Sequence, residues 1–196
     1  LLIDHAWGRE SCLIEDIKNY RSRSHSVSFS QILPRDYRFD EARTVMREMV
    51  LHGCHELMKR GVISKRIGIL VGYSHDICPA AKGTAKLVSA TNVSSLMEPP
   101  VLELFGRIVR ADTPIRRLAI SFDDTVDEGC EGYDFFTDSD AVERERKRER
   151  TVLALAARYG KNAVLRGTSF MPGATQRERN EMIGGHRAGY DETGKS

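Results

Sequence analysis

Ser24-His25-Ser26-Val27-Ser28-Phe29-Ser30-Gln31 alternates strictly, with a serine at every second position. In an extended strand the side chains repeat with a period of two. Val27 and Phe29 therefore share one face, and Ser24, Ser26, Ser28 and Ser30 share the other. A face built only of small hydroxyls is rich in hydrogen-bonding groups and lets another backbone lie close against it. Arg21, Arg23 and Arg35 flank the stretch. Small donors beside cations suit a phosphodiester better than an apolar ligand. The solvated outer face of an ordinary strand has the same pattern, so the reading turns on the sheet to which this strand belongs.

Working outward, a turn is expected around Pro34, followed by a helix from about Asp40 to Arg60. Its apolar positions Ala42, Val45, Met46, Met49, Val50, Cys54 and Leu57 step by three and four, and Gly61 supplies the stop. Ile67, Ile69 and Val71 alternate in a second strand, Arg66–Tyr73, and a third is expected near Thr84–Ala90. Pro99-Pro100 is expected to open a second helix, where missing N–H groups cost little, with Val101, Leu104, Phe105, Ile108 and Val109 as its stripe. A fourth strand, Ile115–Phe122, turns Leu118, Ile120 and Phe122 inward and Arg117, Ala119 and Ser121 outward. The order β-α-β-β-α-β gives an α+β, two-layer domain. Its two helices cover one face of a four-stranded sheet and leave the serine face open.

The chain has 196 residues and a formal net charge of +2, so affinity for a polyanion must come from local patches and not from a global field. No apolar run approaches the ~20 residues of a spanning helix, so no membrane partner is expected. Cys12, Cys54, Cys78 and Cys130 lack paired short spacings, which fits reduced thiols in a cytoplasmic protein. The chain opens on Leu1-Leu2-Ile3-Asp4, already patterned, and reads as a piece of a longer protein. Lys65-Arg66, Lys86 and Arg116-Arg117 sit on strands two, three and four. Each alone fits a solvated edge; together with the serine strand they make a surface able to track a nucleic-acid backbone. Few aromatics interleave, so base stacking is not expected.

Three stretches resemble a known module: Arg21–Tyr37 (RSRSHSVSFSQILPRDY), the helix bearing Arg47-Glu48-Met49, and Thr113–Phe122 (TPIRRLAISF). They are similar to the C-terminal region of the Y-family translesion DNA polymerases, in the Gram-positive UV-damage repair branch. The lead-in Leu1–Tyr20 and the tail Tyr159–Gly189, with GKNAVLRG, ATQRERN and IGGHRAG, extend the resemblance over nearly the whole chain. It implies a thumb remnant and tether (1–20), a little finger domain that grips primer–template DNA (21–123), an acidic linker (124–140) and a helical tail (141–196). It puts Arg116 and Arg117 on a strand that contacts template phosphates, with Ser26, Ser28 and Ser30 on a second DNA-facing strand. Ser121 takes a position that is basic in some relatives, which implies a weaker grip there. The catalytic palm with its Mg-binding carboxylates would lie upstream. This region itself would then carry no cofactor and no catalytic residue, its parent being the DNA-directed DNA polymerase of an SOS response.

Within the linker, Gly132-Tyr133-Asp134-Phe135-Phe136 sets two adjacent aromatics in an acidic segment. In the family a Gln-Leu-Asp-Leu-Phe-like peptide docks on the replication sliding clamp. Tyr133, Asp134, Phe135 and Phe136 match its last four positions in character, while Gly132 replaces the glutamine. The alternative is that the two phenylalanines staple the tail to the domain. The run Glu143–Arg150 reads as a solvated helix face, and a second DNA contact is its alternative. His52 and His55 lie on one helix turn beside an apolar-stripe Cys54 and lack a second metal-ligand pair. The competing function is a protein-interaction module whose open face meets the palm or thumb of the parent enzyme, or a second copy in a homodimer.

Overall fold

In the computed structural model of the chain, residues 7–8, 13–19, 25–129 and 138–182 are described. A short helix α1 (Ile14–Asn19) lies in the lead-in. Strand β1 (Val27–Tyr37) buries Val27, Leu33 and Tyr37 and exposes Ser28, Ser30 and Ile32, so the expected alternation holds. The strand does not turn at Pro34. It runs on to Tyr37 with a register shift between Ile32 and Tyr37. It lies at the sheet edge, where the donor that proline lacks is not needed.

Helix α2 (Phe39–Arg60) begins with the Glu41 carboxylate accepting the Arg38 N–H at 3.0 Å. It ends at Gly61, whose left-handed φ of 66° lets its N–H reach the carbonyls of Leu57 and Met58. Strands β2 (Val62–Tyr73) and β3 (Ala81–Thr91) both start ahead of their expected positions. Helix α3 (Ser94–Ile108) also starts earlier, leaving Pro99 and Pro100 inside it. The additional N-terminal turn is held by burial: Val93, Ser94 and Met97 are fully enclosed, and Met97 extends the stripe of Val101, Leu104 and Phe105.

Strand β4 (Ile115–Asp123) completes an antiparallel sheet of order β1-β4-β2-β3. Asp123 is the last residue of β4, and a two-residue strand β5 (Val126–Asp127) pairs with Val62 and Ile63. Leu118, Ile120 and Phe122 pack with Ile67, Ile69 and Val71 against Val45, Met46, Val50 and Cys54 of α2 and Phe105 of α3. Helices therefore cover one sheet face, in the α+β architecture expected from the sequence.

Helix α4 (Ser139–Tyr159), capped by the Asp138 carboxylate at the Ala141 N–H, lies against α2. Its charged run is not uniformly solvated, because Arg146 and Glu149 are only 2% and 4% exposed. Arg146 meets Glu128 at 3.2 Å and Asn92 at 3.3 Å and also pairs with Glu143. Glu149 accepts from the Ser94 hydroxyl and faces Arg166 at 3.7 Å. Further along, beyond the 3-10 turn Gly167–Phe170, helix α5 (Gln176–Asn180) anchors the tail on α2. There the Glu48 carboxylate accepts the Thr175 and Gln176 N–H groups at 2.8 and 3.0 Å. Among the described residues no helix is long and apolar enough to cross a membrane.

Removing one partner of a buried ion pair leaves an uncompensated charge. Arg146→Ala is therefore expected to lower unfolding free energy in urea by about 3 kcal/mol. Arg144→Ala, at a side chain 72% exposed, should lie within about 0.5 kcal/mol of wild type.

Candidate nucleic-acid interface

The residues on the open sheet face are fixed by the strand register. One row crosses the sheet as Ser28, Ser121, Gly68 and Thr84, and the next as Ser30, Ala119, Leu70 and Lys82. Asp123, Arg66 and Lys86 form a third row, and Ile32, Arg117 and Gly72 a fourth. Ser28, Ser30, Ser121, Arg66, Lys86 and Arg117 are thus brought onto one surface. Ser26 lies just before β1 and is exposed. Arg116 differs: both ladders skip from Arg117 to Ile115, so Arg116 is a bulge residue, and its guanidinium approaches Asp36 at 3.9 Å. The bulge puts both Ile115 and Leu118 on the buried side. Tyr133, Asp134, Phe135 and Phe136 lie outside the described residues.

Along β2 this face carries Gly68, Leu70 and Gly72 in turn, with Gly68 buried and Leu70 and Gly72 half-buried. Gly68 and Gly72 sit on β2 beside Ser121, Ala119 and Arg117 of β4. A Cβ at Gly68 would stand 2.6 Å from the Ser121 Oγ, and one at Gly72 would stand 3.1 Å from the Arg117 Cβ. The two glycines flank Leu70 in a shallow trough that Ser121 and Thr84 partly fill, with Lys82, Lys86 and Arg117 around it, and no ion-pair partner is found for these three among the described residues. Arg66 is different, because Asp124 holds its guanidinium at 3.2 Å. Ser121 donates to the Asp123 carboxylate at 3.0 Å. Carboxylates therefore occupy the end of the face that also carries Lys86, while Lys82 and Arg117 lie in rows further along it.

The trough glycines, Lys82 and the two aspartates were missed in the sequence. Gly68 and Gly72 lie four residues apart on one face of β2, which is the signal that could have identified them. Asp124 could not have been read so, because its pairing with Arg66 spans 58 residues. Among the described residues no group of three or more His, Cys, Asp or Glu is placed to hold a metal ion. With cations and hydroxyls and, among the described residues, no aromatic platform, the face is suited to an extended polyanion and not to stacked bases.

A family model described as the impB/mucB/samB family C-terminal domain matches residues 24–135. The chain is 26% identical over 172 residues to UvrX, a Bacillus subtilis (strain 168) protein named for UV-damage repair, covering 83% of this chain and 39% of that protein. It is 23% identical over 166 residues to DNA polymerase IV 2 of Halalkalibacterium halodurans, covering 84% of this chain and 40% of that one. The chain thus spans about two fifths of the length of these relatives. A Y-family DNA polymerase chimera of Dbh and Dpo4 aligns over 64% of this chain and 34% of its own, with 19% identity and a TM-score of 0.39.

Two glycine substitutions separate close packing from helix propensity. Gly68→Ala should destabilise the protein by about 1 kcal/mol in urea, since Ser121 must rotate off Asp123. Gly106→Ala, in α3 with open space around the new Cβ, should stabilise it by about 0.5 kcal/mol.

Proposed function

The chain belongs to the impB/mucB/samB C-terminal domain family and is a C-terminal region of a Y-family DNA polymerase, and on that premise we propose that its open sheet face grips primer–template DNA during lesion bypass. One observation carries the proposal: Lys82, Lys86 and Arg117, without an ion-pair partner among the described residues, share the open face with Ser28, Ser30 and Ser121. The cations and the Ser28 and Ser30 hydroxyls supply phosphate contacts. No base edge is read, as befits a grip that must accept any template sequence and a damaged base.

In this reading the chain contributes binding and not bond-making. Nucleotidyl transfer, which needs divalent metals held by carboxylates, would then fall to another part of the polymerase. Sliding-clamp docking through Tyr133, Asp134, Phe135 and Phe136 forms part of the same proposal, and it rests on the sequence pattern alone. A second reading is favoured by Ile32 and Val88, 74% and 91% exposed on the open face. Apolar side chains there suit contact with protein, either the palm or thumb or a second copy of the chain.

Anisotropy with a labelled primer–template duplex tests the grip. Binding should be indifferent to sequence and should weaken steeply as salt is raised from 50 to about 200 mM. Arg117→Ala should raise Kd about fivefold and flatten the salt slope by about one unit, whereas Asp124→Asn, which frees Arg66, should tighten binding. Binding that ignores salt and Arg117 would refute the grip, and self-association that masks the face in sedimentation would favour the second reading.

A further inference from the structure

On the side of the molecule opposite the trough, α2, α4, the tail and Phe29 and Gln31 of β1 line a half-open cavity of about 520 Å³. Small-molecule sites run from roughly 300 to 1,000 Å³, with apolar walls and a few polar groups that fix orientation. The walls here include Phe29, Met49, Val152, Leu153, Ala156 and Leu165. Two polar groups on the α2 wall stand out. His52 and His55, one turn apart, are half-buried, and neither imidazole has a hydrogen-bond partner among the described residues. Burial, with Lys59 and Arg166 nearby, pushes His55 down to about 4, and burial also lowers His52. Both rings are therefore neutral at pH 7, each with one N–H donor and one acceptor nitrogen.

The exposed residues around the cavity have the opposite character. Lys59, Arg148 and Lys161 are solvent-exposed. Lys59 pairs with Glu56 and Arg148 with Glu145, both at 2.6 Å, while Lys161 has no ion-pair partner among the described residues. Five cations line the cavity (Lys59, Arg148, Lys161, Arg166 and Arg179) against three carboxylates (Glu48, Glu56 and Glu149), so the lining suits an occupant with a flat apolar body, an edge with both donors and acceptors, and an anionic end.

We propose that this cavity binds a nucleoside phosphate. The base lies between the apolar walls with its edge on His52 and His55, and the phosphates lie at the exposed cations around Lys161. A metal is not the occupant these residues suit, since the histidine pair lacks a third ligand among the described residues. The site is independent of the DNA grip, because α2 and the sheet core separate it from Gly68 and Arg117.

Isothermal titration of the whole chain with ADP, GDP and CDP, and with adenosine, tests the assignment. Saturable binding of at least one diphosphate is expected, with adenosine about tenfold weaker than ADP if ADP is the ligand bound. His55→Leu and the cavity-filling Ala156→Phe should each weaken binding about tenfold or more, while Arg117→Ala leaves it unchanged. Circular dichroism identifies a variant that fails to fold, and Ala156→Phe leaves the Glu48 and Glu149 clamps intact. The proposal is overturned if none of the three diphosphates binds, or if binding survives Ala156→Phe but is lost with Arg117→Ala. Equal affinity for ADP and adenosine would overturn the phosphate part.

Discussion

The phase of β4 governs this structure. Leu118, Ile120 and Phe122 must all point at the helices, and a strand that buries alternate residues has no freedom in where the others go. Arg117, Ala119 and Ser121 are consequently delivered to the open face. A slip of one residue would exchange the two sets, burying a guanidinium and exposing a phenylalanine. The bulge at Arg116 lets Ile115 rejoin the core without disturbing that phase. Gly53 of α2 shows how tightly the phase is held, because a Cβ there would overlap the Phe122 ring.

From that constraint comes an asymmetric molecule. The apolar face takes up α2 and α3, and the outer side of those helices is itself covered by α4 and the tail through buried charge. Glu48, Arg146 and Glu149 cost desolvation, and directed hydrogen bonds offset it. Desolvation pushes the Glu48 and Glu149 carboxyls up, against the hydrogen bonds from Thr175 and Ser94 that pull them down. Such groups define one arrangement of the tail more than they add stability. The other sheet face remains uncovered, and its small and cationic side chains share it with Ile32, Leu70 and Val88.

The layers, the element order and the open face could be read from the sequence because period two and period 3.6 are local signals. Val27, Phe29 and the Leu118–Phe122 alternation carried most of that information. Pro34 and Pro99-Pro100 misled because proline was read as punctuation, whereas an edge strand and the buried turn at Met97 accommodate it. The run Glu143–Arg150 was read as solvated because nothing local shows that Asn92, Ser94, Glu128 and Arg166 converge on it. The candidate site was half visible: its serines and arginines have local signatures, whereas the trough and the Asp124–Arg66 pair arise only when strands meet.

Amide chemical-shift mapping of the chain titrated with a primer–template duplex tests most directly whether the open face is the grip. The account predicts that shifts concentrate at Ser28, Ser30, Gly68, Gly72, Lys82, Lys86, Arg117 and Ser121, with His52, His55 and Thr175 unmoved. Shifts confined to α4 and the tail, with the sheet face silent, would contradict it.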